Sequence, residues 1–377
     1  MARIQHQVYP SINNDLKDWQ VDTRVKAVEL LYMMLYHSEQ DIVMHTEKVL
    51  NCLITAARDE EEKVRSWTRK CSVVLGFMLQ PDIWVPFMIQ RLREDPSSHQ
   101  ILVLAGLVDG TDPYKLFEEQ MSELVDILVH EDVCCTREET TLNELGEFSK
   151  ALIKILCASL KLNKMITEVT SKSKDTDETI IEKAAENTVI QTRKEEATIT
   201  EITEDEEDAE PLDLNQKLIL DGIVKMNLAI ISLSSNQATR DQADECRNTL
   251  VEMTSDQSLL TLYRSTIPSL LSQFIQNSGT WSSASPQLEM MKTMLSLCGP
   301  VVGFFPKTMV MILTQMCNMD SSDPATRLAS LMILSRLLLN TSDTLDSQGN
   351  NHDDISLSHI DNYLLRNIWS MFGCCSH

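Results

Sequence analysis

The stretch "HEDVCC", His130 to Cys135, brings an imidazole and two thiols close together along the chain. Such side chains hold zinc when a second ligand pair follows at metal spacing. No second pair follows here, so His130 reads as a helix-end histidine and Cys134 and Cys135 as buried thiols. His37 and His45 flank a polar joint, without the serine and carboxylate pattern that would make either one the base of a triad. "LVLAGLVDGTDP", Leu102 to Pro113, has the glycines of a phosphate loop but not its lysine. No G-x-G-x-x-G, P-loop or H-E-x-x-H pattern occurs. The reading is a non-enzymatic chain with no catalytic, cofactor or metal site. The Met-rich stretches "EMMKTMLSLC" and "FFPKTMVMILTQMC" then read as core.

Composition names the elements that carry these residues. Aromatics are 5% of 377 residues, with only 10 Gly and 11 Pro. Strands favour β-branched and aromatic residues with frequent turns, whereas helices favour straight-chain residues and few breakers. The expected class is all-α. A net charge of −23 argues against a nucleic-acid surface, which needs Lys and Arg to displace phosphate counterions. It equally disfavours anionic lipid. The most apolar run, Val301 to Leu313, is broken by Pro306 and Lys307. "MARIQHQVYP" has no hydrophobic signal core. Most of the 10 cysteines lie in apolar helical runs and none forms C-x-x-C, which fits a reduced cytoplasmic chain.

Apolar residues recur near every 3.6 positions, predicting helices at 22–38, 40–57, 61–80, 82–94, 98–108, 113–130, 138–163, 212–235, 238–254, 256–277, 285–298, 304–318, 324–341 and 355–372. The joints "RDEEEK", "REDPSS", "DGTDP" and "MDSSDP" carry start and stop signals. Asp59 with Glu62 fits a capping box, and Asp323 before Pro324 fits an N-cap followed by proline at the first helical position. Between Glu168 and Glu210 there are 15 acids and 5 bases, with no aromatic residue. Such a segment cannot bury enough apolar surface to offset its ordering entropy. The expected organisation is helical repeats over 1–166, an acidic disordered insertion over 167–211, and helical repeats again over 212–372.

One joint recurs. Asp18 and Arg24, Asp59 and Arg65, and Asp241 and Arg247 share one offset, and Ser321 stands in the Asp place before Arg327. After the arginine, position +3 is small (Ala27, Thr68, Ser330), while +6 (Leu30, Cys71, Ile333) and +10 (Met34, Leu75, Leu337) are apolar. The Arg247 copy keeps the pattern least well. A spacing near 40 residues, two helices per unit, is that of a HEAT or armadillo α-solenoid. Each unit must pack on its neighbours to bury its apolar faces. Asp at the joint suits the positive end of the next helix. Arg one turn in can bridge to the acidic joint of the neighbouring unit. Asp18, Arg24, Asp59, Arg65, Asp241, Arg247, Asp323 and Arg327 are therefore expected to form a structural ladder.

The strings "DWQVDTRVKAVELLYMMLYHSEQDIVMHTEKVLNCLITAARDEEEKVR", "ILVLAGLVDG" and "SDPATRLASLMILSRLLLNTSDTLDSQG" resemble the middle repeats of the HEAT-repeat axonemal dynein assembly factor family, in the same order. The likeness covers about residues 15–160 and 240–350. It implies a cytoplasmic scaffold for preassembly of dynein arms of motile cilia. Axonemal dynein chains and chaperone or co-chaperone proteins would be its partners. The acidic insertion has no place in that pattern. Neither end shows an evident polar capping unit of the kind such stacks need, a pattern that fits a fragment, a partial gene model or a short isoform alike. A HEAT-type adaptor in nuclear transport or phosphatase regulation is the alternative, by fold analogy.

Overall fold

A computed structural model describes residues 2–37, 43–116, 118–161, 213–253, 259–316 and 323–347. Every regular element among them is helical. The first half holds α1 (Ala2–Asp15), α2 (Val21–Tyr36), α3 (Thr46–Ala57), α4 (Glu62–Met78), α5 (Pro81–Glu94), α6 (Ser98–Gly110), α7 (Glu118–Leu128), the single turn α8 (Glu131–Cys134) and α9 (139–161). The second holds α10 (Leu214–Leu233), α11 (Gln237–Met253), α12 (Leu259–Asn277), α13 (Pro286–Cys298), α14 (Pro306–Met316) and α15 (Pro324–Ser347). The acidic insertion, the 355–372 helix, Ser321, Cys317, Cys374 and Cys375 lie outside the described residues.

Start signals explain many boundaries. Proline stands at the first position of α5 and α13, where its missing N–H costs nothing. Asp213 with Gln216 forms a true capping box at α10. Gly299, at φ 44°, ends α13 in a conformation that other residues resist. Two expectations change. The sequence pattern has no helix before residue 22, yet α1 is there, with Pro10 inside it and with Tyr9, Ile12 and Leu16 buried at its end. The 113–130 helix is split, because Pro113 opens a 3₁₀ turn whose N-cap Asp112 accepts from Tyr114 N–H.

The helices stack in two layers. α1, α3, α5, α7, α10, α12 and α14 pack in succession to form one layer. In the other, α2 packs on α4 and α4 on α6. Side-chain bonds carry this second layer on from α6 to α9 (Lys154 to Asp109) and from α9 to α11 (Gln242 to Glu147). α13 and α15, which pack on each other, complete the helix pairs, and α10 packs on both α11 and α13. One continuous hydrophobic core runs between the layers, from Tyr9 to Leu337. Met290, Met291, Met294, Met309 and Met316 are buried in it, whereas Met311 of the same Met-rich stretch is exposed. The offset of six residues after the arginine does not hold in α2. Cys71 and Ile333 are buried, but Leu30 is exposed. α2 instead buries Ala27, Val28, Leu31 and Leu35.

The glycines of "LVLAGLVDG" have a packing role. A Cβ on Gly110 would lie 1.9 Å from the Val73 carbonyl oxygen, and one on Gly106 would lie 2.6 Å from Ser72 Cβ. Facing them, a Cβ on Gly76 would lie 2.1 Å from the Leu107 carbonyl oxygen. Helices α4 and α6 thus touch backbone to backbone, and Thr111 Oγ1, which donates to the Leu107 carbonyl at 2.7 Å, lies 3.2 Å from the Gly76 carbonyl across the contact. α6 is buried all round from Ile101 to Val108. Its continuous apolar run follows from that position.

Candidate interaction surface

Arg24 stands in the first turn of α2 and reaches the next joint. Its Nε donates to Asp59 Oδ2 at 2.5 Å and its Nη2 to Asp59 Oδ1 at 3.1 Å, a two-point contact. Nη1 donates to the backbone carbonyls of Asp18 and Trp19. Asp59 also accepts from Glu61 N–H at 2.9 Å. The N-cap of α4 is Glu61, so Asp59 and Glu62 form no capping box. Burial pushes the Asp59 carboxyl up, but Arg24 and the Glu61 N–H more than reverse this and hold it below the ordinary carboxylate value. The Asp59 hydrogen bond in turn raises the Arg24 pKa.

The other joint residues go elsewhere. The Asp18 carboxylate accepts from Gln20 N–H. Arg65 pairs with Glu62 on its own helix. Asp241 stands inside α11 rather than in a joint, where Gln237 donates to it, and Arg247 pairs with Asp244 and donates to Tyr263 of α12. Asp323 does cap α15, accepting from Thr326 N–H at 2.5 Å, and Ser283 Oγ donates to it at 3.3 Å. Arg327 lies one turn into α15, half-buried. Of the arginine–aspartate pairs in that ladder, the structure brings Arg24 and Asp59 together.

Other residue types make the remaining links between units. Hydrogen bonds join Arg91 to Asn51, Ser283 to Asp323 and Arg336 to Ser296, each 40 residues apart, one repeat unit. On the α4–α9 face, Arg69 reaches Glu147 at 2.7 Å and Glu144 at 3.8 Å, and Glu147 accepts from Gln242 of α11 at 2.7 Å. Sequence reading missed this chain of polar contacts because Arg69 and Glu147 sit in mid-helix, without a joint to mark them. The signal was Arg69 one helical turn beyond Arg65, on the same face.

"HEDVCC" resolves into a turn. His130 is the N-cap of α8, and its Nδ1 accepts from Asp132 N–H at 3.4 Å. Cys134 Sγ contacts the Val129 carbonyl at 3.2 Å and Cys135 Sγ the Met290 sulfur at 3.6 Å. Among the described residues, no group of three His, Cys, Asp or Glu side chains is placed to hold a metal. Burial pushes the Cys298 thiol up to about 12 and Cys246 to about 11. These are inert packing thiols. No helix among the described residues is long and apolar enough to cross a membrane.

A cleft opens between α7, α10 and α12. Val125, Val129, Leu218 and Leu270 form its apolar walls, with Asp126, Asp221, Ser269 and Gln273 among the polar lining groups. Gly222 borders it, and a Cβ there would lie 2.1 Å from Val125 Cγ1. Lys225, 5% exposed, donates to Gln273. Asp221 Oδ1 is buried without a hydrogen-bond partner. Burial pushes the Asp221 carboxyl up to about 6, against the lowering effects of Ser269 and Lys217. Burial, followed by Glu123, raises Asp126 as well.

The repeated helix pairs, joined by polar links one unit apart, fit the family whose model matches residues 1–186, described as dynein axonemal assembly factor 5, HEAT-repeat domain. Over those residues the chain is similar to that HEAT-repeat family. Proteins named dynein axonemal assembly factor 5 resemble the chain beyond this limit. The mouse protein is 26% identical over 343 residues, covering 91% of this chain and 34% of its own length. The human protein is 26% identical over 345 residues with the same coverage, and the Xenopus laevis protein 23% identical over 365 residues. The chain thus spans about a third of the length of these relatives. The Arg24–Asp59 link, the glycine contact and "HEDVCC" all fall within the assembly-factor HEAT-repeat match, whereas α10 to α15 lie beyond it.

Proposed function

We propose that this chain is a non-enzymatic HEAT-repeat scaffold for cytoplasmic preassembly of axonemal dynein arms, needed for motile cilia. Its partners are axonemal dynein chains and chaperone or co-chaperone proteins. The observation that carries this reading is the dynein axonemal assembly factor HEAT-repeat match over residues 1–186, extended by the likeness over 91% of the chain. The stacked helix pairs suit such a role, since a solenoid presents long surfaces to large partners. The division into repeats over 1–166, an acidic insertion over 167–211 and repeats over 212–372 is part of the proposal. The deciding experiment depletes the protein from ciliated cells. Electron micrographs of axonemes lacking dynein arms, restored by re-expression, are the expected result. Intact arms after complete depletion would refute it.

A further inference from the structure

We infer that Cys134, Cys135 and Met290 form a three-sulfur site for monovalent copper, Cu(I). Neighbouring residues of a helix do not face each other. Cys134 ends α8 and Cys135 is its C-cap, at φ −89° and ψ 45°, and this departure from the helix brings their Sγ atoms to 3.8 Å. Met290 of α13, 155 residues further along the chain, sets its Sδ 3.6 Å from Cys135 Sγ. Two sulfurs at about 2.3 Å from one ion, the length of a zinc–thiolate bond, lie about 3.8 Å apart at the tetrahedral angle and about 4.0 Å apart at the trigonal one. Both observed separations fall within a few tenths of an ångström of this, and the flexible methionine side chain takes up the difference.

The ligand set chooses the metal. Soft thiolate and thioether donors select Cu(I), whereas structural zinc takes four ligands from Cys, His, Asp and Glu. Among the described residues no third His, Cys, Asp or Glu joins the pair to hold a metal, so zinc lacks its full shell. Three sulfurs suffice for a monovalent d10 ion. Binding sends the two thiol protons to solvent, so the ion and its two thiolates together carry one negative charge. Lys225 of α10, itself buried, acts on both thiols as a cation, more strongly than Glu131 of α8 acts as an anion. Cys134 and Met290 are buried and Cys135 is partly exposed, so the ion enters at Cys135 and passes inward. A search along the sequence for a second ligand pair cannot see a methionine that another helix supplies. The site is independent of the dynein reading, which rests on the family match.

The test adds one equivalent of Cu(I), as its acetonitrile complex, to the reduced full chain under argon, with bathocuproine disulfonate as the competing chelator. The chain is expected to keep one copper, with three sulfur neighbours by X-ray absorption. Cys135→Ser should lose it while circular dichroism shows the helical content unchanged. Met290→Leu, which conserves volume, should leave two sulfur neighbours and yield the copper to less chelator, and it provides a second reading if the first variant is poorly folded. Cys374 and Cys375 are the other adjacent pair, so Cys374→Ser with Cys375→Ser is the control and should keep the copper. Removal of all copper from the wild type by the chelator would overturn the inference. So would copper held by a folded Cys135→Ser chain, three sulfur neighbours in Met290→Leu, or loss of copper from the control. Equimolar Zn(II) displacing the Cu(I) would equally overturn it, by making this a zinc site.

Discussion

Replacing Gly76 by alanine tests the closest contact in the fold. In an exposed helix interior the change stabilises by about 1 kcal/mol, because alanine has the better helix propensity. In α4 the new Cβ would meet the Leu107 carbonyl oxygen at 2.1 Å, where ordinary contact begins at 3.4 Å. The obstacle is backbone, so no side chain can swing away, and α4 and α6 must part by about 1.3 Å. A gap of 0.5–1 Å already forfeits roughly a quarter to a half of each dispersion contact it opens. Overpacking of this kind costs about 3 kcal/mol, which leaves a net loss of about 2 kcal/mol after the propensity gain. Urea unfolding followed by circular dichroism should show a lower midpoint with an unchanged slope. Gly146→Ala is the internal control. Its Cβ would meet side-chain ends alone, the Gln242 amide at 3.4 Å and Ile230 Cδ1 at 3.6 Å, so it should be neutral or slightly stabilising. A Gly76→Ala midpoint at or above that of the wild type would refute the backbone contact and the reasoning built on it.

Arg24→Ala should cost about 1–3 kcal/mol, because it leaves the Asp59 carboxylate, 8% exposed, without its charged donor. Asp59 has a depressed folded pKa, so its contribution is present above the unfolded value of 3.8 and is lost as the pH falls through the folded value. Acid titration of wild type against Asp59→Asn should show their stabilities converging below that pH. Asp221 has the opposite sign. Its folded pKa, about 6, exceeds the unfolded 3.8, so its ionisation costs stability increasingly between these values and fully above them. Asp221→Asn should therefore melt higher than wild type at pH 7.5 and lose that advantage at pH 3.5. Iodoacetamide labelling at pH 8, read peptide by peptide by mass spectrometry, should leave Cys71, Cys246 and Cys298 unmodified in the folded chain and modify them in urea.

The helices could be read directly from the chain because their causes are local. Apolar periodicity, with Pro at the first position of α5, α13 and α15 and Asp323 before α15, sets α4, α5, α6, α13 and α15 close to where they stand. The repeat spacing near 40 residues was equally visible, since every unit must solve the same burial problem. Helix α1 was not visible, because Pro10 and a polar start hide an apolar face formed by only a few residues. The ladder was legible at Arg24 and Asp59, where joint and arginine lie one unit apart. It was misread at Asp241, which carries the same spacing inside a helix. Spacing along a chain says which residues share a face but not which helix meets that face. The close approach of α4 and α6, the Arg69–Glu147 contact and the orphan oxygen of Asp221 depend on helices brought together from distant parts of the sequence. They exist only once burial of the shared core has set how near those helices lie.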